Sequence, residues 1–230
     1  MLLYVSTSSL DAPLTTVLRL VGESLPKFNT QLSQVEGVLG ITLKGDIYPL
    51  LKGESALAVY PGTPALPRIL FVQKVDDEQK ADSLLRRLSA IAQLGGSIKA
   101  ETVQLAGESV QKLTFTGARV TIYDGTAKGK MFVTNAANLA EQTISGPASS
   151  LGDDQLFRST RDTAGLPGKV SAFAYGDLEN GLPYVLRLAE KSGNVVPPAA
   201  FANTKPLHGA VVYLVKDGDA LRISGFQTIK

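Results

Sequence analysis

One string of fifteen residues occurs twice in degraded form. Residues 10–24 read LDAPLTTVLRLVGES and residues 178–192 read LENGLPYVLRLAEKS, and seven aligned positions are identical. Asp11 and Glu179 keep an acid at the second position. Each copy follows a short apolar run of strand length, residues 2–6 and 170–175. Leu14, Val17, Leu18 and Val21 recur at the three-and-four spacing of one helix face, as do Leu182, Val185, Leu186 and Ala189. The chain therefore has to place two strand-then-helix units, with Arg19 and Arg187 at equivalent outward positions. A pseudo-twofold duplication is one expectation; a strand feeding an amphipathic helix is also common enough to match without one.

The remaining pattern predicts an α+β fold, mostly antiparallel sheet with packed helices. Asp11 is a good N-cap and Pro13 suits a first helical turn. Residues 28–39 repeat the helical spacing up to a stop at Gly40, and 46–51 predict one further turn. Residues 55–60 and 68–75 are strand-length apolar runs joined by a loop over 61–67, where three prolines and a glycine cluster. Asp76 is expected to cap a helix that runs to Gly95–Gly96, with Gln79 completing a capping box and Ala81, Leu84, Leu85 and Leu88 on its apolar face. Strands are expected at 98–105, 110–116, 118–123 and 130–133, turning at Gly107, Gly117 and Asp124–Gly125. Helices at 136–144 and 153–163 precede the second copy of the unit. An irregular stretch over 193–206 leads to a final hairpin, 208–216 and 220–228, turning at Asp217–Gly218. The order lacks the regular alternation of a doubly wound sheet. Residues 1–230 read as one domain, or as two intimately packed halves, 1–145 and 146–230.

Composition removes whole classes of chemistry. There is no Cys and one His, His208, so thiol catalysis, disulfides, iron–sulfur clusters, thiolate zinc sites and two-His metal sites have no ligands. No cofactor and no metal is implied. Net charge is +2 with the charges scattered, Trp is absent and aromatics are 7%, so nucleic acid is not an expected partner. No apolar run approaches the ~18 residues of a membrane span. The first ten residues lack the basic start of a signal peptide, so the chain is either cytoplasmic or without its export segment, and Met1 running straight into a strand favours the second.

The candidate motifs each have a plainer structural reading. Residues 125–130 (GTAKGK) suggest a phosphate loop but are too short, lack Ser/Thr after the lysine and lead into a strand, so they read as a hairpin turn. Ser24/Lys27 and Ser109/Lys112 match Ser-x-x-Lys without its companion motifs or a buried helix start. Asp76/Asp77 and Asp153/Asp154 precede helices and read as caps. His208 reads as a strand-edge residue, with no Gly-x-Ser-x-Gly elbow to serve. No catalytic residue is assigned. The binding candidates are Arg19 and Arg187, across a groove between the repeated units, and Val196 and Phe201, with Val195, at the tip of the 193–206 stretch.

Several segments together resemble the bacterial domain of unknown function 3352. They are LLYVS at 2–6, LLKGESALAV at 50–59, FVQKVDD at 71–77 leading to KADSLL at 80–85, MFVTN at 131–135 before Leu139, SLGDD at 150–154 before Phe157, LPG at 166–168, and YGDL at 175–178. The resemblance implies an envelope protein: an exported domain carried by an N-terminal membrane anchor that this chain lacks. It brings no activity and no functional residue. The expectation is a non-catalytic, extracytoplasmic binding or structural domain whose partner is a protein or an apolar ligand. Membrane contact would come only through the missing anchor. The alternatives are a lipid or apolar-ligand carrier, and a hydrolase using carboxylates marked by a raised carboxyl pKa.

Overall fold

The computed structural model describes residues 1–25, 27–62, 66–94, 96–118, 120–147, 150–218 and 220–229. Pro26, residues 63–65 of the 61–67 loop, Gly95 of the helix stop and Arg119 of the 118–123 strand lie outside the described residues. The fold is α+β. Ten strands, β1 (Leu3–Thr7), β2 (Ser55–Tyr60), β3 (Arg68–Lys74), β4 (Ile98–Leu105), β5 (Glu108–Phe115), β6 (Val120–Ala127), β7 (Lys130–Thr134), β8 (Ala172–Asp177), β9 (Leu207–Asp217) and β10 (Ala220–Ile229), follow the hydrogen-bonded order β10-β9-β8-β1-β2-β3-β7-β6-β5-β4. The helices are α1 (Asp11–Ser24), α2 (Phe28–Leu39), α3 (Glu78–Leu94), α4 (Ala137–Ser145), α5 (Gln155–Ala164), α6 (Leu178–Lys191) and α7 (Pro198–Thr204). The chain divides into two compact units, one of Met1–Thr7, Ala56–Leu70 and Gly146–Lys230, the other of Ser8–Ser55 and Phe71–Ser145.

The second unit is a meander with helices. β4 to β7 pair antiparallel in sequence order. Their side chains alternate between faces. Met131 joins a core with Ala81, Leu84 and Leu85 of α3 and with Ile41, Leu50 and Val75. Phe132, its neighbour, points the other way and is fully buried, as are Leu139, Ala140 and Ile144 of α4. Asp77, rather than Asp76, caps α3, accepting from Lys80 N at 2.8 Å. Glu78 in the first turn of α3 accepts from Gly129 N, which ties the β6–β7 turn to the helix start. That turn lies at Lys128 and Gly129, both at positive φ, and not at Asp124–Gly125. β6 continues through Gly125 because its missing Cβ leaves room for Phe132, whose Cζ would lie 3.3 Å away. Residues Leu43–Ile47 and Tyr48–Leu51 form two short helical turns where one was expected.

The first unit pairs β1 with β8, β8 with β9 and β9 with β10, all antiparallel. One sheet face is aromatic: Tyr175, Val211 and Tyr213 pack with Phe157 of α5, flanked by Tyr4 and Phe173. The other face carries small residues in register, Ala172, Ala174 and Gly176 on β8, with Ala210 opposite Gly176. Asp154 caps α5 through Phe157 N at 2.9 Å, and Asp153 closes a capping box with Ser150 in the turn before it. Residues 198–204 are helical as α7, where an irregular stretch was expected; prolines at its first positions fit a helix start.

The repeated string lies on α1 and α6, each following a strand, and the two strands β1 and β8 pair directly. The helix starts differ. Asp177 caps α6 by accepting from Asn180 N at 2.9 Å. Asp11 is the first helical residue of α1 rather than its cap, and Leu10 before it offers no side-chain cap. Leu14, Leu18, Val21, Leu182 and Leu186 are half-buried, but Val17 and Val185 are 54% and 57% exposed at equivalent positions. The repeat is thus a shared strand–helix pattern, and a duplication is not established by it.

Candidate functional site

Asp124 lies within β6 and is 3% exposed. Its register partner on β5 is Gln111. Directly opposed residues of an antiparallel pair share a face, with Cβ atoms about 5 Å apart, so carboxyl and amide tips are within reach of each other. Asp124 Oδ2 and Gln111 Oε1 are both shielded from solvent and have no hydrogen-bond partner among the described residues. The surroundings are apolar or neutral. Val133 of β7 stands opposite Asp124, and Thr102 of β4 opposite Gln111. Two charges of α3 act on Asp124, those of Asp82 and Arg86, which pair one turn apart at 2.6 Å.

Burial pushes the Asp124 carboxyl up to about 7; the Asp82 charge adds to the rise and the Arg86 charge opposes it. A neutral carboxyl owns an O–H donor, and an amide oxygen is an acceptor. Protonation therefore converts two unpaired oxygens into a hydrogen-bonded pair. Gln73, also fully buried in this unit, shows the usual solution: the Ser55 hydroxyl donates to its Oε1, and its Nε2 donates to Gly53 O at 3.0 Å and Lys74 O at 2.9 Å. Asp124 and Gln111 depart from that rule. The arrangement can hold a proton near neutrality.

The first unit has its own unpaired polar atoms. Tyr175 OH and Thr160 Oγ1 are shielded and have no partner among the described residues. Burial raises the Tyr175 phenol, with Asp154 and Asp177 adding to it. His208 Nε2 lies 3.0 Å from Glu179 Oε2, linking the start of β9 to the first turn of α6.

The residues singled out in the sequence are divided between the two units. Arg19 is exposed on α1 and pairs with Glu23 at 2.7 Å. Arg187 is exposed on α6, in the other unit. Val196 and Phe201 are half-buried at the start and middle of the α7 segment, and only Val195 stands in solvent, 95% exposed. Sequence reasoning passed over Asp124 and Gln111 because Asp-Gly read as a turn. The signal that places them is the positive-φ pair Lys128–Gly129, which lets β6 run on past Asp124.

A family model described as a protein of unknown function, DUF3352, matches residues 1–206. The chain belongs to the DUF3352 family. The matched part of this DUF3352 chain includes the whole Asp124 site; β9 and β10 lie beyond it. No curated protein and no solved structure matches. Among the described residues no helix is long and apolar enough to cross a membrane, and no group of three or more acidic or His side chains is placed to hold a metal ion.

Proposed function

We propose that this chain is a non-catalytic binding or structural domain of a bacterial envelope protein, working outside the cytoplasm. The placement rests on the family resemblance. The binding reading rests on one observation: α2 is a complete twelve-residue helix with no fully buried residue, its Phe28, Leu32, Glu36 and Leu39 being half-buried. Val35 and Val38, three apart on one helix face, stand in solvent, and Val38 is 86% exposed. Val17 and Leu20 of α1 and Leu25 after it are exposed in the same way. Amphipathic helices draw most of their stability from a buried face, and exposed apolar clusters mark contact surfaces. A protein or apolar partner covering these side chains accounts for both.

A photo-crosslinking residue at position 38 of the full-length protein in its native cell tests the reading, with position 101 on β4 as control. Adducts at 38 and not at 101 are expected. Val35→Glu with Val38→Glu is expected to abolish them while changing stability by no more than about 0.5 kcal/mol, as for surface substitutions generally. No adduct at 38, or equal adducts at both positions, would sink the proposal. A periplasm-dependent reporter fused to the chain checks the compartment separately.

A further inference from the structure

The geometry points to a proton-dependent latch in the second unit: neutral Asp124 donates its O–H to Gln111 Oε1 and keeps α3 closed over the β5–β6 pair, and loss of that proton loosens α3. The case starts from two shielded oxygens on directly opposed residues. Neither is served by any other described group, and neither reaches water. Ionised, Asp124 would keep charge on the shielded Oδ2 beside an amide oxygen, an unfavourable state for both.

The elements around Asp124 leave few ways to relieve that state. On its face, β4 offers Ala100 and Thr102, β5 offers Gln111 and Leu113, and β7 offers Met131 and Val133, none of them charged. The acid of α4, Glu141, is exposed. α3 carries the two charges that act on it, Asp82 and Arg86. Asp82 repels a second carboxylate, and Arg86 is already bonded to Asp82. Bringing Arg86 to an ionised Asp124 breaks that pair and moves the helix that carries it. The alternative to movement is opening to water. Either way ionisation acts on α3.

The direction with pH follows from the raised carboxyl. Closed, Asp124 holds its proton to about 7; opened to water, it returns to the ordinary value of about 3.9. The closed state therefore binds more protons between those values. Its advantage is complete below about pH 4, fades as pH rises, and is gone above about 7. Between pH 5.5 and 8.5 the opening constant of α3 is expected to rise about thirtyfold.

Hydrogen exchange of the α3 amides at those two pH values, corrected for intrinsic exchange, measures this. The thirtyfold rise is expected in the unmodified protein. It should vanish in Asp124→Asn, whose amide donates to Gln111 Oε1 at every pH. A second arm does not depend on that variant folding: the Asp124 carboxyl is titrated by NMR in the unmodified protein and in Asp82→Asn. Removing the repelling charge and freeing Arg86 should lower its midpoint by about one pH unit or more. Equal pH responses in the unmodified protein and Asp124→Asn would overturn the latch. So would an Asp124 midpoint below about pH 5, the signature of Gln111 turning its N–H to a permanently ionised carboxylate.

Discussion

Tyr175→Phe removes one oxygen from the centre of the first unit. The residue is 1% exposed, and its ring meets Phe157 edge-on with centroids 5.1 Å apart. Its hydroxyl has no partner among the described residues. A buried hydroxyl without a partner costs about 1–3 kcal/mol of desolvation. The oxygen also makes dispersion contacts of about 0.1–0.2 kcal/mol each, so deleting it forfeits on the order of 1 kcal/mol. The ring and its packing stay. The variant is therefore expected to match the parent or to exceed it by about 0–2 kcal/mol. In a chain of 230 residues that is a rise of about 0–8 °C in Tm. Thermal scans and urea titrations of both proteins measure it, with equal m-values required so that the change belongs to the folded state. The gain should not change between about pH 6 and pH 9, because burial, and after it Asp154 and Asp177, push the phenol upward and keep it neutral. A loss of 1 kcal/mol or more would refute the reasoning, since only a satisfied hydroxyl is missed when it is removed.

Two further substitutions probe the same unit. A Cβ at Gly209 would lie 2.4 Å from Thr160 Oγ1 and 3.4 Å from Thr160 Cβ and Cγ2; Gly209→Ala is expected to cost about 1–3 kcal/mol in urea unfolding, and Thr160→Ala in the same chain should recover part of that loss, giving a measurable coupling. Asp177→Ala removes an acceptor for Asn180 N at 2.9 Å and Asn180 Nδ2 at 2.8 Å; a loss of about 0.5–2 kcal/mol is expected, with amide exchange rising in the first turn of α6 and not in α5.

The sequence made the elements legible wherever a local signal agreed with packing. The final hairpin is the clear instance: Gly218 takes positive φ where Asp217–Gly218 predicted the turn. Asp124–Gly125 carried an equal signal and misled. Gly125 is required there for the space under Phe132, a demand from β7 that no local pattern reveals. With the turn displaced to 128–129, Asp124 moved from an exposed loop to a buried strand, so the site was invisible for the same reason. Val17 and Val185 show the complementary failure. Helical spacing identifies the apolar positions of a helix but not whether anything covers them, and both residues stand in solvent. The helical pattern placed the cap at Asp76, one residue early; the bond to Lys80 N selects Asp77.

The pairing of β1 with β8 also sets a timetable. Thr7 donates to Ser171 O across 164 residues of chain, and Asp177 N closes on Leu2 O. The β1–β8 ladder cannot exist before residues 172–177 have been made, and loop closure over such a span is slow. The α3–β4–β5–β6–β7–α4 segment needs only near neighbours and is free to form long before. Until then one edge of β1 is unpaired, and an unpaired strand edge is what chaperones and proteases can reach. For this chain the moment of release from that exposure is the emergence of residues 172–177.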